Sequence, residues 1–134
     1  MSGTVVLDTS VLSAVVFGEP DAEALLAVMV RNVGDLAISA ATLVEAAIMA
    51  ESRQGPEAGA DLRWLLVDLG VRTIPTDERH AEAAVAAWRR FGKGRHPAGL
   101  NLGDCFSYAL AKVEGARLLF KGQDFNQTDI ASAL

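Results

Sequence analysis

The stretch Thr4-Val5-Val6-Leu7-Asp8-Thr9-Ser10-Val11-Leu12 decides how the chain folds. Thr4 to Leu7 is a short apolar, β-branched run and reads as a buried strand. Asp8, Thr9 and Ser10 follow with side chains suited to capping a helix, and Val11, Leu12, Val15 and Val16 give that helix an apolar face. A buried strand that ends in an acid and turns at once into a helix is the opening unit of an α/β layer structure. Asp8 has a structural reading, as a helix cap. It also has a chemical one, as an acid at the carboxyl end of a strand.

The unit recurs along the chain. Gly18-Glu19-Pro20 breaks the first helix and starts a second over 21–31. Leu36-Ala37-Ile38 is the next strand, and Ser39 is placed to cap a helix reaching about Arg53. Gly55-Pro56 ends it and opens another, with Leu62, Trp64, Leu65, Leu66 and Leu69. A third strand is expected over 71–74, then a helix capped by Thr76 and carrying Ala84, Val85, Trp88 and Phe91. A glycine-rich loop over 92–99 leads to a helix over 102–113, and the last strand covers 117–120. Strands alternating with helices predict an α/β fold with a largely parallel sheet.

Within this pattern four carboxylates stand out. Glu45 is the only charged residue over 36–50, and Asp104 the only one over 100–111. Asp8 ends the first strand, and Asp124 follows the apolar run Leu118-Leu119-Phe120 by four residues. Buried carboxylates are costly unless paired, hydrogen-bonded or bound to a cation, and no Lys or Arg lies in the first three of these stretches. In open α/β sheets ligands gather beyond the carboxyl ends of the strands, where all four acids are expected. Each also has a plainer reading. Asp8 suits a helix cap, and Asp104, three residues after Asn101, suits a capping box. Glu45 fits a narrow solvent-facing stripe, and Asp124 an ordinary loop position. Asp129 reads as a local cap or turn residue.

Converging carboxylates repel one another, and a divalent cation removes that cost. One or two such ions also support phosphodiester hydrolysis without a covalent nucleophile. The segment Arg89-Arg90-Phe91-Gly92-Lys93-Gly94-Arg95-His96 holds four of the chain's 12 basic residues. It reads either as a solvated helix end or as a phosphate-contacting patch, with Lys93, Arg95 and His96 as the candidate contacts. Gly92-Lys93-Gly94 lacks the spacing of a Walker loop. His80 and His96 are too far apart for a local metal motif, and each reads as a surface or loop residue.

At 134 residues, 51% of them hydrophobic, the chain is expected to form one domain spanning 1–134 with a real core. Its formal charge of −5 argues against a general nucleic-acid coat, though not against a local basic patch. The one cysteine, Cys105, has apolar neighbours and reads as a buried thiol. No apolar run approaches the roughly 18 residues of a membrane span, and the start of the chain does not read as a signal peptide. The expected compartment is the cytoplasm, with no membrane partner.

Taken in order, Leu7-Asp8-Thr9-Ser10-Val11-Leu12, Thr42-Leu43-Val44-Glu45-Ala46-Ala47, Gly103-Asp104-Cys105-Phe106-Ser107-Tyr108-Ala109-Leu110-Ala111 and Leu118-Leu119-Phe120-Lys121-Gly122-Gln123-Asp124-Phe125 resemble a PIN-domain ribonuclease, of the VapC type found in bacterial toxin–antitoxin pairs. The resemblance implies a three-layer α/β/α fold around a central, mostly parallel sheet. It implies Mg²⁺- or Mn²⁺-dependent endoribonuclease activity on an RNA substrate, a homodimer, and a cognate VapB-like antitoxin. It carries over Asp8, Glu45 and Asp104 as site acids, with Asp8 and Asp104 the metal ligands. Many relatives read T-x-D-x-D-F at the last segment; here Gly122 stands where the earlier acid would be, and Asp124 remains as the fourth. Two other readings fit clustered acids on an α/β sheet. One is a phospho-accepting receiver-like module with Lys121 as its lysine; the other is a non-catalytic module that binds metal or RNA.

Overall fold

The structure is a computed structural model and describes residues 3–134; the first two positions of the expected 1–134 domain lie outside the described residues. The elements run β1 (Val5–Leu7), α1 (Thr9–Val16), α2 (Ala22–Arg31), β2 (Leu36–Ser39), α3 (Ala40–Gln54), α4 (Pro56–Asp68), β3 (Arg72–Ile74), α5 (Glu78–Phe91), α6 (Leu102–Glu114) and β4 (Arg117–Leu119), then a short 3-10 helix, Asp124–Gln127. The four strands form one parallel sheet in the order β3-β2-β1-β4. Val5 pairs with both Leu36 and Arg117, which fixes the register of the central strand against its neighbours.

Side chains alternate across a strand, so β1 feeds two cores. Val5 and Leu7 point to one face and pack with Leu12 of α1, Met29 of α2, Ala46 of α3 and Leu62 of α4. Val6 points to the other and packs with Phe91 of α5, Leu110 of α6 and Leu118. Three layers result: α1 to α4, the sheet, then α5 and α6. Each fully buried aliphatic side chain here contributes roughly 1.5–3 kcal/mol through removal from water. Among the described residues no helix is long and apolar enough to cross a membrane.

Several local expectations are refined. Ser39 caps α3, its hydroxyl accepting the Ala41 N–H. Thr76 does not cap α5. Its hydroxyl lies 3.2 Å from that of Ser39, and the cap is Asp77, whose carboxylate accepts the N–H groups of Arg79 and His80 while His80 Nδ1 accepts from the Asp77 N–H. This reciprocal bond pulls His80 inside, so it is buried rather than a surface residue. Cys105 is buried as expected; burial, then the charge of Asp104, pushes its thiol up to about 11.

Candidate active site

The sheet order makes the carboxyl end of β1 a switch point: the chain leaves β1 for β2 on one side, while β4 returns on the other. Asp8 occupies that point. It caps α1, its Oδ2 accepting the Ser10 N–H at 3.0 Å, so its structural reading is correct. Its Oδ1 accepts the Ser107 hydroxyl at 2.6 Å from α6. Asp8 is 3% exposed and Ser107 wholly buried, and Thr42 Oγ1 lies 3.3 Å from Ser107 Oγ. One buried bond thus ties the exit of β1 to α6.

Glu45 reaches the same place from α3. The apolar residues around it are not all core: Val44 is 58% and Ile48 63% exposed, and Glu45 is itself exposed, because α3 buries Thr42, Ala46 and Ala50 instead. Glu45 Oε1 accepts the Thr9 hydroxyl at 2.5 Å. A Cβ added at Gly103 would collide with both carboxylate oxygens of Glu45. Glu45 therefore spans from α3 to the start of α1 and to the first turn of α6, where the positive end of the helix dipole favours a carboxylate. Glycine at 103 is what lets it approach.

Asp104 sits in that same first turn. Its N–H donates to Asn101 Oδ1 at 2.9 Å, and its Oδ2 accepts the Asn101 N–H at 3.0 Å, forming the expected capping box. Its carboxyl is nevertheless pushed up to about 6. Burial is the main cause; the Asn101 N–H opposes it, and the negative charges of Asp8, Asp124 and Glu45 add to it. Asp124, exposed at the start of the 3-10 helix, is thus close enough for Asp104 to feel its charge. The four expected acids come from four separate segments, and the charges of Asp8, Asp124 and Glu45 all act on Asp104. Ser107 holds Asp8, while Thr9 and the space at Gly103 set the position of Glu45. Ser107 lies one helical turn from Asp104, a spacing that places both on one face of α6.

Among the described residues no three His, Cys, Asp or Glu side chains stand close enough to form a finished cation cage. The acids converge without closing, as mutual repulsion requires. The donor set still suits a hard divalent ion. Mg²⁺ keeps several waters and is held by one or two carboxylates, a demand that Asp8 and Asp104 are able to meet.

The basic loop lies nearby. Lys93 is exposed and lines an apolar groove of about 500 Å³ between α5 and α6, with Val85, Trp88, Asn101, Leu102 and Phe106. The Arg95 guanidinium lies 4.6 Å from the centre of the Trp88 ring, and its Nε donates to the Arg89 carbonyl. His96 turns inward: its Nδ1 accepts the Ala98 N–H, and its ring meets Phe91 edge-on at 5.2 Å. Lys121, the candidate receiver lysine, is bound through Nζ to Glu19 and Asp21.

The PIN domain family model matches residues 5–131. The chain is 50% identical over 127 residues to Ribonuclease VapC of Mycolicibacterium smegmatis, covering 95% of this chain and 98% of that one. It is 47% identical over 127 residues to Ribonuclease VapC30 of Mycobacterium tuberculosis, covering 95% and 96%. Its fold is similar to that of VapC20 of Mycobacterium tuberculosis, a toxin that cleaves the sarcin–ricin loop, with a TM-score of 0.79, 17% identity and coverage of 96% and 97%. It is also similar to a chain of the DNA-bound VapBC complex of Salmonella typhimurium, with a TM-score of 0.73, 16% identity and coverage of 98% and 96%.

Proposed function

The chain belongs to the PIN-domain family, as an endoribonuclease toxin of the VapBC type, and from that premise we propose which residues perform the cleavage and with what help. Residues 1–134 act as one catalytic unit. Asp8, Glu45, Asp104 and Asp124 form its acidic centre, with Asp8 and Asp104 holding a divalent cation, Mg²⁺ or Mn²⁺. When bound, that ion supplies the positive charge that orients an RNA phosphodiester and stabilises the departing oxygen. Ser107 fixes the direction of the Asp8 carboxylate, and Asn101 that of Asp104. Glu45, whose carboxylate is oriented by the Thr9 hydroxyl, receives the proton of the attacking water. Lys93, Arg95 and His96 border the path of the RNA backbone.

Three contacts carry this reading: the bond from Ser107 to Asp8, the bond from Thr9 to Glu45 and the close approach of Glu45 to Gly103 bring Asp8 and Glu45 beside the first turn of α6, which carries Asp104. An antitoxin is the partner in a pair of this type, and a VapB-like protein is the proposed one. The chain acts as a homodimer; Val85 and Trp88, half exposed, and Leu102, largely exposed, supply apolar surface around the α5–α6 groove for a second copy. In the test, purified protein is incubated with RNA and Mg²⁺ or Mn²⁺. Cleavage is expected, with complete loss on chelation and on Asp8→Asn or Asp104→Asn. Full activity in both variants would defeat the site assignment.

A further inference from the structure

Resting on the reading of Asp124 as the fourth site acid, we propose that Asp129 is a positioning residue: it latches the segment carrying Asp124 onto the helix carrying Asp104, and so sets the spacing between those two acids. Asp124 sits on the short 3-10 helix beyond β4, just after Gly122, which has φ +96°. An exposed side chain on such a turn takes its position from the anchors on either side. The upstream anchor is Lys121. Its N–H donates to Ser10 Oγ at 3.0 Å, and its Nζ lies 2.5 Å from Glu19 Oε1 and 3.2 Å from Asp21 Oδ1. Between the anchors Phe125 is buried against Phe120, ring centres 5.2 Å apart.

The downstream anchor is Asp129. Its Oδ1 accepts the Tyr108 hydroxyl at 2.6 Å, and its Oδ2 accepts Lys112 Nζ at 2.9 Å and an Arg90 N–H at 3.3 Å. Tyr108 is 5% exposed and stands one turn after Asp104 on α6. The Thr128 hydroxyl donates to the Phe125 carbonyl and accepts the Ile130 N–H, which closes the turn between the 3-10 helix and Asp129. The cationic contacts alone resemble surface ion pairs, which contribute little. The short, partly buried bond from the hydroxyl of Tyr108, whose ring is packed in the core, does not. It joins the segment carrying Asp124 directly to the helix carrying Asp104.

Mn²⁺ binding, measured by calorimetry without RNA, tests this directly, with melting temperature and the Mn²⁺ dependence of RNA cleavage measured beside it. Asp129→Ala is expected to weaken Mn²⁺ binding by about 10-fold. The Mn²⁺ concentration for half-maximal cleavage should rise by the same factor, with kcat at saturating Mn²⁺ within about twofold of wild type. Tyr108→Phe, which keeps the ring and its packing, should move Mn²⁺ affinity the same way, and Asp129→Asn, which keeps an oxygen for Tyr108, should recover part of the loss. A lowered melting temperature with unchanged Mn²⁺ affinity in Asp129→Ala and Tyr108→Phe would make Asp129 merely structural and overturn the proposal; Tyr108→Phe decides alone if Asp129→Ala does not fold. Asp124→Asn separates the two failures. If it leaves both Mn²⁺ affinity and RNA cleavage unchanged, the reading of Asp124 as a site acid fails and the latch fails with it. If it weakens binding while Asp129→Ala does not, only the latch fails.

Discussion

Asp104 is the acid on which burial and repulsion fall together, and its titration has a signed consequence. Its folded pKa, raised to about 6, lies above the ordinary value of 3.8, so the folded state favours the protonated form. That contribution to stability is present below 3.8 and is lost as pH rises through about 6. In metal-free protein, Asp104→Asn keeps an acceptor for Asn101 and removes the charge. Its melting temperature relative to wild type should therefore improve by a few degrees on going from pH 4 to pH 7.5, as calorimetry or circular dichroism would record. No such change with pH would mean that neither burial nor the charges of Asp8, Asp124 and Glu45 raise the pKa of Asp104. Ser107 gives a second expectation. Ser107→Ala leaves Asp8 without a buried donor, which should cost about 1.5–3 kcal/mol in denaturant unfolding and lower cleavage by about 10- to 100-fold. Asp8 and Asp104 stood out in the sequence because each was a charge without a nearby cation at or within an apolar run. The same argument read the apolar stretch around Glu45 as core, and there it failed in part: Val44 and Ile48 beside it are exposed. Apolar neighbours do not distinguish a core face from a surface awaiting another molecule.

The strands and helices were legible because their apolar runs have clear period and clear breaks, from Val5–Leu7 through Leu102–Glu114. What escaped were bonds between elements distant in sequence. Thr76 was read as a cap from its type, but its hydroxyl is taken up beside Ser39 and Asp77 makes the reciprocal bond with His80. Asp129 was read as a local turn residue, and its three partners, Arg90, Tyr108 and Lys112, lie 17 to 39 positions away. No local pattern signals such a contact. Gly103 offers an expectation for the start of α6. Alanine there should favour a helix by about 0.5–1 kcal/mol over glycine on propensity alone. Its Cβ would displace the Glu45 carboxylate. Gly103→Ala is thus expected to lose RNA cleavage by at least about 10-fold with little change in melting temperature, a combination that neither a folding defect nor a neutral surface change would give.

The formal charge of −5 remains compatible with an RNA substrate because the basic loop joins the end of α5 to the start of α6, the helix whose first turn carries Asp104. The α5–α6 groove bears on assembly. If the proposed homodimer forms through that groove, Trp88→Glu, which puts a charge on its half-exposed wall, should raise the dimer dissociation constant by about 30-fold or more in sedimentation; an unchanged constant would place the contact elsewhere. All of this depends on distant acids gathering at the carboxyl end of β1 to hold one cation centre. Anomalous scattering at the manganese edge, from crystals soaked in Mn²⁺, examines that point most directly. The expected map shows Mn²⁺ against the carboxylates of Asp8 and Asp104, and none there in Asp8→Asn crystals. A Mn²⁺ site remote from both residues, or none at all at saturating ion, would contradict it.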